Sequence, residues 1–196
     1  MNHPIEHFFH FTSPASETEA GLVLSGEHAV LGIPEVHSFK ALIQVYAEHL
    51  GQEGYFGNSL DSFQDCLNDP KNFWSVQPSS LDVQHLHFPD LPQEDLEPYT
   101  VVLIETVIHY HTHKQYNQQL DPVHIRRELQ LHFPSMSEAQ MEAYISPIPT
   151  TTLRVFFPAE SKTVLQEVLD IHSGTISDEL DRWAARGFTL PERFTL

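Results

Sequence analysis

The sequence is poor in cysteine and in cations: it has one thiol, Cys66, and ten lysines and arginines in 196 residues. A single cysteine closes no intramolecular disulfide, so nothing in the chain calls for an oxidising compartment. Ten cations against 27 carboxylates leave a formal charge of −17. Nucleic acid and anionic membrane surfaces both repel such a chain at long range, so neither is expected as a partner. No apolar run reaches the length of a membrane span, and residues 1–11 are His-rich and lack the basic start of a secretory leader. A soluble, cytoplasmic protein is expected. Also missing are a Gly-rich phosphate loop, Gly-x-Ser-x-Gly and His-Glu-x-x-His. No enzyme chemistry therefore has a recognisable carrier, and no cofactor is implied.

What is present suffices for a core, with 40% hydrophobic and 11% aromatic residues. Leu22-Val23-Leu24 suits a buried strand. Phe39, Leu42, Ile43, Tyr46 and Leu50 recur at the spacing of one helix face, with Gly51 placed for a left-handed cap. A second helix starts after Gly57, capped by Asn58 or Ser59 and ended by Pro70. Residues 81–88 read as a strand, and 93–111 as a helix whose β-branched residues leave strand open in part. Short helices are expected over 122–131, capped by Asp121, and over 137–144. A strand at 153–157, a helix at 162–171 and a last helix at 177–186, capped by Ser177, complete the chain. This alternation implies an α/β fold, a small parallel sheet covered by helices.

The second helix carries the most information. Leu60, Phe63 and Leu67 form its apolar stripe, while Asp61, Asp65 and Asn68, at i, i+4 and i+7, form a polar one. Asp61 sits in the first turn, where negative charge suits the helix dipole, but Asp65 lies a full turn further in and repels it. Residues 1–80 hold ten acidic side chains and only Lys40 and Lys71 as cations, so this face has little to quench it. Cys66, beside Leu67 and three residues after Phe63, suits the packed side of the helix.

The run Tyr55-Phe56-Gly57-x-x-Leu60-Asp61-x-Phe63-x-Asp65-Cys66-Leu67, behind a strand and an amphipathic helix, resembles the signature of the barstar-like family, intracellular inhibitors of the ribonuclease barnase. The closer resemblance covers residues 22–68 and a looser one continues to 171. It implies a three-stranded parallel sheet covered by helices, with residues 1–20 an N-terminal extension and 21–171 the barstar-like domain. An insertion would lie at about 113–152, and 172–196 would be a C-terminal helical extension. It also implies a protein inhibitor and not an enzyme, with a basic protein, a ribonuclease toxin, as partner. Tyr55 matches the loop tyrosine that contacts the nuclease. Asp61 and Asp65 match two helix aspartates, of which Asp65 takes the phosphate-binding site. Three positions depart from the family pattern: Ser59 stands for an asparagine, Gln64 for an aromatic residue and Asn68 for a threonine. These six residues form the expected partner-binding set, with the three departures shaping specificity.

Fourteen histidines raise a second possibility. His109, His111 and His113 alternate, as do His85 and His87, which would align each set on a strand face. Zinc needs three or four converging ligands, and the only thiol is claimed by the helix, so no metal site is expected. Two alternatives to the inhibitor remain: the same scaffold docking a non-nuclease protein through 113–152, and a His-rich metal-dependent enzyme.

Overall fold

The computed structural model describes residues 3–12, 19–119, 121–145 and 151–194. Five strands, β1 (His10–Thr12), β2 (Gly21–Ser25), β3 (His28–Ile33), β4 (Ser80–His85) and β5 (Thr152–Pro158), form one sheet in the order β1-β5-β4-β3-β2. Eight α-helices accompany it among the described residues: α1 (Phe39–His49), α2 (Leu60–Asn68), α3 (Pro70–Phe73), α4 (Gln93–Gln119), α5 (Pro122–His132), α6 (Glu138–Ile145), α7 (Lys162–Ile171) and α8 (Ser173–Ala185).

The α/β class agrees with the sequence, but the sheet is mixed and five-stranded, not parallel and three-stranded. β3, β4, β5 and β1 run parallel, whereas β2 pairs antiparallel with β3. The physical reason is a hairpin. Gly26, at φ 62°, and Glu27 turn the chain in two residues, so Leu22-Val23-Leu24 forms an edge strand with Val23 and Leu24 more than half exposed. The inner strand is β3, to which the sequence pattern assigns no element. At the other edge β1 pairs with β5, and Ile5, Phe8 and Phe9 are buried in the main core.

Register separates the two faces of the sheet. Ala29, Leu31, Leu81, Val83, Leu153 and Val155 are paired across β3, β4 and β5 and are all buried. Their alternates include Val30, Asp82 and Arg154. Asp82, only 5% exposed, accepts from Arg154 Nε at 2.7 Å and Nη2 at 2.8 Å. This bidentate pairing offsets the cost of enclosing a carboxylate.

Three further expectations shift. Gly51 does not take a left-handed conformation: its φ is −66°, and it is needed because a Cβ there would lie 2.3 Å from the Tyr55 carbonyl oxygen. Residues 93–119 form one continuous helix with no strand, despite Pro98 near its start. The last helix begins at Ser173, four residues before the expected Ser177 cap.

Beneath the helices, the Tyr99 hydroxyl lies 3.0 Å from both the Tyr46 hydroxyl and His85 Nε2, all three groups being buried. His85 also stacks on Phe157 at 4.2 Å. Burial pushes its imidazole down from 6.5 to about 3. Between those values the unfolded chain binds a proton that the folded one refuses, so stability falls as pH drops through this window. At pH 5 the loss from this group is expected at about 1–2 kcal/mol. Urea unfolding at pH 7 and pH 5 checks it: His85→Phe should show a shallower fall than wild type, and equal slopes would place a proton on the buried ring.

Candidate functional site

The segment 55–68 is built by devices that leave one face of a short helix in solvent. Gly57, at φ 79°, turns the chain before α2. Ser59 then caps the helix: its hydroxyl accepts from the Ser62 backbone N–H, and the Ser62 hydroxyl oxygen accepts from the Ser59 and Asn58 N–H groups at 2.9 Å each. This reciprocal capping satisfies donors that the first turn would leave orphaned.

The other end is equally well closed. The last four carbonyls of α2 accept from the Asp69 backbone N–H, the indole Nε1–H of Trp74 at 2.9 Å, the Tyr110 hydroxyl at 2.6 Å and His109 Nε2 at 3.3 Å. Trp74 and Tyr110 are themselves buried. Between the two ends, Phe63 is fully buried, with ring centroids of Phe39, Tyr46, Phe56 and Tyr99 within 6 Å. Nine residues would form a marginal helix alone; capping and aromatic packing hold this one.

Burial therefore selects which side chains remain accessible. Phe63, Cys66 and Leu67 face inward, whereas Tyr55, Ser59, Asp61 and Asp65 are exposed. Asp61 and Asp65 stand one turn apart, about 6 Å along the axis. The other expected residues lie differently. Ser59 spends its hydroxyl on the cap. Gln64 is half-buried and donates through Nε2 to Glu105 of α4 at 2.7 Å. Asn68 is half-buried, with its carboxamide oxygen enclosed. Cys66 is packed, and its thiol is pushed up to about 11 by burial, with the charges of Asp65 and then Asp69 adding to the effect. A protonated, enclosed thiol is no nucleophile.

Glu105 and His109, on α4 alongside α2, are absent from the expected set because 41 residues separate each from its α2 contact. The available signal is a carboxylate inside Val101-Val102-Leu103-Ile104-Glu105-Thr106-Val107-Ile108. A charge within so apolar a run needs a partner or an outlet to water.

The histidine pattern also resolves differently from its strand reading. On helical α4, His109 and His113 are one turn apart with ring centroids 3.8 Å from each other, while His111 meets Phe194. Burial, then the neighbouring His113, holds His109 down to about 4, and burial lowers His113. The end of α2 thus faces uncharged rings at neutral pH. Among the described residues, no three His, Cys, Asp or Glu side chains are grouped to hold a metal ion, and no helix is long and apolar enough to cross a membrane.

A family model described as Barstar (barnase inhibitor) matches residues 27–126, about half of the chain. No curated protein and no solved structure matches the sequence. The matched span runs from the parallel core strand β3 into α5 and encloses the whole of the loop, α2 and the flanking face of α4. By this match, and with the capped acidic helix lying within it, the chain belongs to the barstar family.

Proposed function

We propose that this protein is an inhibitor that blocks the active site of a basic ribonuclease toxin, and so serves as an immunity protein. The observation that carries the reading is the division of α2: Phe63, Cys66 and Leu67 are locked into the core while Asp61 and Asp65 stand in solvent. A ribonuclease groove is cationic because its substrate is a polyanion. A carboxylate on a rigid helix mimics one phosphate there, and pairing with arginines in a desolvated groove supplies affinity. The net charge of −17 speeds encounter with a cationic partner. Tyr55 supplies an aromatic contact beside the acids, and Ser59, Gln64 and Asn68 set the surroundings that distinguish one nuclease from another.

The experiment is affinity capture from the source organism with wild type and the Asp61→Ala/Asp65→Ala pair side by side, with barnase titrated in parallel as a known ribonuclease. Recovery of a basic nuclease by wild type alone, with loss of RNA hydrolysis at stoichiometric inhibitor, is expected. Recovery of the same partner by both proteins would move the interface elsewhere. The α5 end then becomes the second reading, because Val123 and Leu131 are 78% and 70% exposed there.

A further inference from the structure

A cavity of about 310 Å³ opens between the start of α2 and the start of α4. A water molecule occupies about 30 Å³, so the space takes something larger. Phe39, Leu60 and Pro98 give it apolar walls, and Ser59, Glu94 and Asp95 add polar ones. Leu60, Pro98, Phe39 and Asp95 are half-buried, and Glu94 is exposed. Carboxylates in the first turn of α4 suit its dipole. That accounts for their place in the sequence but not for the apolar-walled space before them. Among the described residues, neither carboxylate has a cation within ion-pair distance.

An apolar stem ending in a positive charge fits this combination. Methylene groups cover Leu60 and Pro98 while the charged head reaches the carboxylates, and an aromatic wall suits a guanidinium. Ser59 belongs both to the cavity and to the face proposed above, so the two surfaces are continuous. We propose that the cavity receives an arginine or lysine side chain of the protein that docks on α2, as an anchor separate from the Asp61–Asp65 face. The identity of that partner rests on the inhibitor reading; the chemistry of the cavity does not.

The test uses the N-acetyl, C-methylamide derivative of arginine, whose only charge is its guanidinium, titrated into the full chain and followed by amide NMR shifts. Saturable millimolar shifts at Ser59, Leu60, Glu94 and Asp95 are expected, with none from the norleucine derivative. They should vanish in Glu94→Gln/Asp95→Asn and weaken in Glu94→Gln alone, a change at an exposed site that leaves the fold intact. Against a captured nuclease, the double variant should lose roughly two- to fivefold in affinity. Shifts that do not saturate, that persist in the double variant or that norleucine reproduces overturn the proposal. A nuclease left uninhibited would remove the α2 reading and leave these shifts in place, whereas absent shifts with inhibition retained would remove the cavity alone.

Discussion

Asp65→Ala is expected to lower affinity for the nuclease by roughly a hundredfold to several-thousandfold while slightly raising the stability of the free protein. The first effect follows from what the variant leaves behind. On the inhibitor reading proposed above, arginines of the partner that meet Asp65 in a closed groove would lose their counter-charge but remain desolvated, and breaking a buried ion pair in this way costs about 3–5 kcal/mol. At about 1.4 kcal/mol per tenfold, that gives the stated range. The second effect arises within α2. Asp65 lies mid-helix and exposed, where aspartate is worse than alanine by about 0.5 kcal/mol. Its repulsion with Asp61 one turn away costs about 0.2–0.5 kcal/mol more. The side chain weakens the fold that displays it, as expected of a residue kept for binding. Calorimetric titration and urea unfolding of the same two proteins check both halves. Unchanged affinity would place the interface away from α2, and a stability loss above about 1 kcal/mol would make Asp65 a structural residue.

The sequence is most legible where local signals agree. The spans of α1, α2 and α7 follow from apolar spacing, a serine before the first helical residue of α1 and of α2, and a proline just after α2. The misreadings share a different cause: what decides them is pairing with distant chain. β1 is three residues long, and its partner β5 lies over 140 positions away. β3 combines a histidine and a glycine with apolar residues, and Gly32 is required because a Cβ there would lie 2.3 Å from the Glu19 carbonyl oxygen. No local pattern encodes that approach. On α4, β-branched residues blur the helical signal until packing beneath α2 and α8 and beside β5 overrides propensity. The candidate site divides likewise. Tyr55, Asp61 and Asp65 belong to one short segment and can be read together, but the Gln64–Glu105 contact and the His109 cap exist only once α4 lies against α2.

Gly57→Ala tests whether the shape of that segment matters as much as its charge. At φ 79° any L-residue is strained, by about 1–2 kcal/mol. A Cβ at position 57 would also lie 2.6 Å from the Ser62 carbonyl carbon, 2.7 Å from its hydroxyl oxygen and 2.8 Å from the Phe63 nitrogen. Two of these atoms are backbone within the first turn of α2, and the third is the acceptor for Asn58 and Ser59. Relief requires moving the turn away from the loop, which pulls apart the reciprocal cap and tilts the face carrying Asp61. A total loss of about 2–4 kcal/mol in stability is expected. Gly54 provides the internal control, because its φ is 74° but no atom lies within 4 Å of a Cβ there. Gly54→Ala should cost only the conformational strain, about 1–2 kcal/mol. Urea unfolding separates the two variants, and binding at a temperature where both remain folded adds the functional half. Gly57→Ala should bind the nuclease at least tenfold more weakly than Gly54→Ala, although alanine at 57 removes no contacting group. Equal stability and equal binding would mean that the turn relaxes freely, and that the helix is held in place from its Trp74 and Tyr110 end alone.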